Sequence, residues 1–235
     1  MKFYFKSRKD EMRKQIPRGL IVSCQAGKGE PLYGCDLMHY FARCAVAGGA
    51  VAIRALADEI PSIRHEVKVP IIGLIKKDYP DSEVYITPTK AEIDVLLKTG
   101  CEVIAMDATA RPRPNGETLA EIVSYVRSVN DEVALMADID DYDNAVMADK
   151  LGFDYISTTL RGFTRETKGL RVPDCGFVKK LKEACRAKII VEGGIWEKKQ
   201  LEDISAFNPY AVVAGTSITR PKDITKRFVE SLRLQ

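Results

Sequence analysis

Histidine, tryptophan and long apolar runs are all scarce in this chain, and each scarcity removes a class of function. Two histidines and one tryptophan stand among 235 residues. His39 and His65 both fall in segments of helical character, so a histidine-based metal centre has no ligands where an α/β enzyme would need them. No apolar run approaches the ~18 residues of a membrane-spanning helix. The basic N-terminal stretch lacks the apolar core of a secretory signal. A net charge of +3, with acids and bases interleaved, gives no basic face for nucleic acid or an anionic membrane. The six cysteines include no Cys-x-x-Cys pair. They read as reduced thiols of a cytoplasmic protein, with Cys35 and Cys44 on a first helix and Cys175 and Cys185 on a late one.

What the chain does have is a repeated unit. Eight short apolar runs, at 19–24, 50–54, 71–76, 102–107, 133–138, 155–158, 188–192 and 211–215, recur at spacings of 21 to 33 residues. Continuous aliphatic and β-branched runs read as strands buried on both faces, which is the habit of parallel sheets. The segments between them switch to helical periodicity, as at 89–100 and 117–127, and Pro221 suits the first turn of a last helix. Gly48 and Gly49, Gly100 and Gly152 each close a helix before the next strand, with Asn208 in that place before the eighth. Eight strand–helix units with right-handed crossovers predict a single (β/α)8 TIM barrel over residues 19–235, preceded by an N-terminal extension or capping helix over residues 1–18.

In that fold the C-terminal strand ends converge on one mouth. Gln25, Arg54, Lys76, Asp107, Asp138, Glu192 and the Gly215 turn are therefore expected to face one pocket. Lys76 follows an apolar strand, where desolvation would lower its pKa and fit it for proton transfer or Schiff-base formation. Glu192 is its natural acid–base partner. Asp107 reads instead as a paired carboxylate ordering Arg111 or Arg113. Barrel enzymes often hold a substrate phosphate on backbone amides after strands seven and eight. Here those places offer Gly193 and Gly194, then Gly215, Thr216 and, as counter-charge, Arg220. The Gly27-Lys28-Gly29 stretch lacks the spacing of a nucleotide-binding loop. Two longer connections, 78–89 and 161–171, are candidate lids.

Several stretches carry a more specific likeness: Ser23-Cys24-Gln25-Ala26, the run from Pro70 to Lys76, Glu83-Val84-Tyr85-Ile86-Thr87-Pro88-Thr89, Met106-Asp107-Ala108-Thr109, the stretch from Leu135 to Ile139, Ser157-Thr158-Thr159 and Ile218-Thr219-Arg220-Pro221. Together they resemble the N-acetylmannosamine-6-phosphate 2-epimerase (NanE-type) family across nearly all of the chain after residue 18. The resemblance implies interconversion of N-acetylmannosamine 6-phosphate and N-acetylglucosamine 6-phosphate, a step of sialic acid and amino-sugar catabolism. It further implies Lys76 and Glu192 as the catalytic pair, Gln25, Arg54 and Asp138 as sugar-binding residues, and the segment from Gly215 to Arg220 at the phosphate. No metal or organic cofactor is expected, a small amino-sugar phosphate is the expected partner, and a homodimer is the expected assembly, with the segment from Ile224 onward as a partner-facing helix. Rival readings are a Schiff-base aldolase built on Lys76 and a non-catalytic sugar-phosphate sensor. The chain departs from the family at Gly194, where a basic residue is usual, at Ala110 in place of a common lysine, at residues 140–143 and in the loop around Gly27.

Overall fold

In the computed structural model, which describes Arg13 and residues 15–232, the eight runs are eight parallel strands that close a barrel in sequence order. They are β1 (Gly19–Cys24), β2 (Ala52–Leu56), β3 (Ile71–Leu74), β4 (Val103–Asp107), β5 (Ala134–Asp138), β6 (Tyr155–Ser157), β7 (Lys188–Glu192) and β8 (Ala211–Ala214). Between them lie α1 (Met38–Ala47), α2 (Ile60–Glu66), α3 (Lys90–Thr99), α4 (Leu119–Val129), α5 (Tyr142–Leu151), α6 (Cys175–Ala184) and α7 (Lys198–Ser205). After β8 come a four-residue helix, α8 (Thr216–Thr219), and then α9 (Pro221–Ser231). The (β/α)8 barrel expected from the spacing is the observed fold.

Strand boundaries moved in two places that matter. Residues 50 and 51 belong to the turn out of α1, closed by the Ala50 amide on the Ala45 carbonyl at 3.0 Å, so β2 starts later and runs on to Leu56. Arg54 consequently lies in mid-strand rather than at its end. β3 stops at Leu74, two residues short of Lys76, because the chain there turns into an antiparallel pairing with the loop that follows. Cys35 precedes α1 instead of lying on it, and Cys185 caps α6. All six thiols are unbridged, though Cys35 and Cys44 are exposed.

Side chains alternate along a strand, and this period of two sorts every strand residue into one of two cores. Ile53, Ile71, Ile104, Leu135, Ile156 and Val191 point outward and pack against Ile60, Ile63, Ile93, Leu96, Ile122 and Leu181 of the helices. Ile21, Ala52, Ile72, Leu74, Ala105, Met136, Tyr155, Ile190 and Val213 fill the barrel itself. Continuing the inner row towards the C-terminal end yields Ser23, Arg54, Lys76, Asp107, Asp138, Ser157, Glu192 and Gly215. The alternation that builds the core thus chooses the polar residues of the mouth.

The opposite end is plugged. Ile16 is fully buried, its amide donates to the Tyr155 hydroxyl at 2.8 Å, and its carbonyl accepts from the Tyr210 hydroxyl at 2.5 Å. Arg13 reaches Asp154 at 2.8 Å. Residues 1–12 and 14 of the expected N-terminal extension lie outside the described residues. Among the described residues no helix is long and apolar enough to cross a membrane.

Candidate active site

A cavity of about 320 Å³ opens at the C-terminal face, walled by Ser23, Gln25, Arg54, Lys76, Thr159 and Glu192 on its polar side. Gly193, Gly194, Gly215, Thr216 and Arg220 lie along the same wall. Nine of the sequence-derived candidates therefore meet in one place. Asp138 does not line it. This carboxylate is fully buried behind Arg54 and takes both of its Nη groups, at 3.0 and 2.6 Å. Arg54 is itself 1% exposed and its Nη1 stands 3.4 Å from Glu192 Oε2. Burial alone would lower the Arg54 pKa, but Asp138 and Glu192 more than reverse that. Its Nε–H has no partner.

Asp107, also expected at the mouth, is missing from it too, and its carboxylate is bonded to no residue expected there. It binds Arg111 at 2.6 Å and accepts the Thr109 amide and hydroxyl at 2.9 and 2.7 Å. That is the paired role expected for it, away from the cavity. The cause is the loop after β3. Its residues 85–87 fold back antiparallel, with the Lys77 amide on the Tyr85 carbonyl at 2.9 Å and the Thr87 amide on the Ile75 carbonyl at 2.7 Å. The Asp107 amide then donates to the Ile86 carbonyl at 3.0 Å. Ile86 and Tyr85 occupy the stretch of wall that Asp107 would have held. This connection, expected as a lid, is a sewn-in part of the wall. Thr87 holds a left-handed φ of 46°, stabilised by its hydroxyl, which donates to the Ala105 carbonyl at 2.7 Å.

Lys76 and Glu192 are shifted in opposite directions. Lys76 lines the cavity, and partial desolvation there, then the nearby Arg54 and Arg220 guanidiniums, holds its ammonium below the usual lysine range. Desolvation pushes the Glu192 carboxyl above the usual carboxylate range, against the pull of Arg54. Its backbone is fixed by Thr158, whose hydroxyl donates to the Glu192 carbonyl at 2.8 Å and accepts its amide at 3.0 Å. Opposed shifts of a base and an acid in one cleft are the arrangement that general acid–base chemistry needs at neutral pH.

The far end of the cavity is built from backbone. Gly193 and Gly194 take φ of 107° and 70° after β7, and Gly215 leads from β8 into α8. A side chain at Gly194 would put its Cβ 2.5 Å from the Val172 carbonyl oxygen. The basic residue usual in the resembled family has no room here. Arg220, the remaining cation, is paired with Glu30 at 3.3 Å. Gln25 donates to the Ser23 hydroxyl at 2.9 Å. Tyr85, Phe163, Trp196 and Thr159 also line the cavity and were not among the residues expected there. Applying the strand-end rule to β6, as to the other strands, points to Thr159; the other three sit on loops without such a rule.

The mouth of this barrel has glycine-rich backbone after its last two strands, the place where barrel enzymes frequently bind phosphate. Residues 38–234 match the model of the NanE family, described as "Putative N-acetylmannosamine-6-phosphate epimerase". A relative from Staphylococcus carnosus, named "Putative N-acetylmannosamine-6-phosphate 2-epimerase", is 48% identical over 94% of this chain and 99% of its own. One of the same name from Clostridioides difficile is 42% identical over 95% and 100%. The solved N-acetylmannosamine-6-phosphate 2-epimerase from Clostridium perfringens superposes with a TM-score of 0.88 at 40% identity, covering 99% of this chain and all of that one. A thiamine phosphate pyrophosphorylase from Pyrococcus furiosus, at 13% identity and a TM-score of 0.60, shares the fold alone. The chain belongs to the N-acetylmannosamine-6-phosphate epimerase family.

Proposed function

We propose that this protein interconverts N-acetylmannosamine 6-phosphate and N-acetylglucosamine 6-phosphate by removing and returning the C2 proton. The observation that carries this reading is the opposed pair Lys76 and Glu192 in a cavity whose other end is glycine-rich backbone. In the open-chain sugar the C2 carbanion delocalises onto the C1 carbonyl oxygen. Lys76, more often neutral than an ordinary lysine, takes the proton as principal base. The guanidinium of Arg54, on the cavity wall, is the donor for the developing oxyanion. Glu192, more often protonated than an ordinary glutamate, returns a proton to the other face. Asp138 acts by fixing Arg54, and Gln25 by binding sugar hydroxyls. The amides of Gly193, Gly194, Gly215 and Thr216, with Arg220, receive the phosphate. The step as written uses no metal or organic cofactor. Incubation with N-acetylmannosamine 6-phosphate in D2O, followed by NMR, should yield N-acetylglucosamine 6-phosphate carrying deuterium at C2; an unchanged substrate spectrum would sink the reading.

The active assembly is, on the same reading, a homodimer, in the reducing cytoplasm that six unbridged cysteines suit. Helix α9 buries none of its residues, and Ile224 and Phe228 along it, with Leu232 just past its end, recur every four positions. Phe228 is 74% exposed and Leu232 63%. A second copy covering this stripe would gain about 1.5–3 kcal/mol per large side chain buried. Phe228→Glu is expected to convert a dimer to a monomer in sedimentation analysis; a monomeric wild type would remove the assembly and leave the chemistry standing.

A further inference from the structure

The Thr159 hydroxyl stands among three oxygens and has one proton to give. It lies 2.7 Å from Asp138 Oδ1, 3.0 Å from Glu192 Oε2 and 2.8 Å from Ser157 Oγ. A hydroxyl donates once and accepts twice. It cannot donate to both carboxylates together, and a carboxylate oxygen facing a lone pair at these distances is repelled. The contest has two solutions. With Glu192 ionised, Thr159 donates to Glu192, and Asp138 keeps the two Arg54 bonds. With Glu192 protonated, its own O–H donates to Thr159 Oγ1, and Thr159 donates to Asp138. In both, the fully buried Ser157 can donate to Thr159, so the oxygen stays put while its proton turns.

We propose that Thr159 is a positioning residue whose hydroxyl rotor serves both protonation states of Glu192, handing its proton between Glu192 and Asp138 as Glu192 gains and loses its own. This rests on the acid–base role proposed above for Glu192. A reversible epimerase needs such a device, because the group that gives a proton in one direction must hold still after losing it. Without the rotor, Glu192 would be well bonded in one state and opposed by Asp138 in the other. The charged groups that face Glu192 are Arg54 on β2, Lys76 beyond β3 and Asp138 on β5. None of them is a hydroxyl within hydrogen-bond distance of both carboxylates. Thr159 is.

The test compares Thr159→Val, which keeps the shape and removes the hydroxyl, with Thr159→Ser, which keeps the hydroxyl. The Glu192 carboxyl is followed by carbon-13 NMR across pH, assigned by its disappearance in Glu192→Gln. In either state the hydroxyl donates to a charged carboxylate, and only in the protonated state does it also accept the Glu192 O–H, so its loss costs the protonated form more. The Glu192 midpoint is expected to fall by about one pH unit in the valine variant. Turnover should fall about tenfold in both directions with little change in KM. Serine should restore both, and Thr159→Ala provides the same comparison should the valine variant not fold. A folded hydroxyl-free variant whose midpoint stays within about 0.2 unit of wild type would overturn the proposal. So would a folded serine variant that restores neither readout. Failure of the wild type to turn over the sugar phosphate would instead sink the functional reading, which the titration does not depend on.

Discussion

Asp107 and Asp138 are register partners, the last residues of β4 and β5, each fully buried and each bound to an arginine. Their sequences read alike, yet only the Asp138 carboxylate is bonded to a residue of the cavity wall. Asp107 pairs with Arg111, four residues on in its own loop, and the pair closes on itself with Thr109. Asp138 pairs across the barrel with Arg54, whose guanidinium also faces Glu192 and the cavity. A carboxylate satisfied locally orders its loop; one satisfied from another strand carries force between strands and so sets the position of a second charged group. Where the partner comes from, rather than the aspartate itself, separates scaffold from machinery.

The largest effect expected lies just beyond that comparison, at the groups the Arg54–Asp138 pair positions. Lys76→Met or Glu192→Gln should each lower kcat/KM about 10³-fold, equivalent to about 4 kcal/mol of barrier, with folding kept. Next come the two aspartates. Asp138→Asn leaves Arg54 buried with an incomplete partner, and breaking a buried pair costs about 3–5 kcal/mol. Its melting temperature should drop and its kcat/KM fall about 10²-fold, because Arg54 is no longer held against the substrate. Asp107→Asn should destabilise by about 1–3 kcal/mol and leave kcat/KM within about threefold. Equal losses of activity in the two variants would erase the distinction.

Much of this was legible in the sequence, and the reason is periodicity. Apolar runs at regular spacing determine a barrel, and the alternation of side chains decides that Arg54, Lys76 and Glu192 share a mouth. Strand residues carry that information because a strand has only two faces. The backbone of residues 85–87 is different. Its insertion beside β4 depends on hydrogen bonds between segments that no local pattern announces, such as the Asp107 amide on Ile86. The sequence therefore places Asp107 in the mouth while the loop takes its room. Phe163 and Trp196 were hidden for the same reason. Gly194 was visible only as an oddity, and its meaning needed the Val172 carbonyl beside it.

That crowding makes a third test, at the turn after β7. Gly194→Arg would restore the charge usual in the family, but its φ of 70° and the close Val172 oxygen oppose any side chain. A loss of about 1–3 kcal/mol is expected, read as a lower melting temperature, together with a weaker hold on substrate. A stable variant with improved KM would mean that the segment carrying Val172 yields easily, and that the phosphate end of the cavity is less fixed than the Arg54–Asp138 end.

The smallest effect concerns the electrostatic cost of keeping Glu192 next to Asp138. Burial raises the Glu192 pKa above its ordinary 4.5, so the folded chain binds more protons than the unfolded chain between that value and the raised one. Stability must then fall as pH rises through this interval, the opposite of the usual salt-bridged carboxylate. Glutamine at 192 cannot titrate and removes the slope. The melting temperature of wild type minus that of Glu192→Gln should accordingly decrease from about pH 4.5 towards neutrality. Lys76 acts with the contrary sign higher up: its lowered pKa makes stability rise with pH below the ordinary 10.5. A Glu192→Gln difference that grew with pH would mean that the Arg54 attraction outweighs desolvation, and that Glu192 enters the reaction as a base.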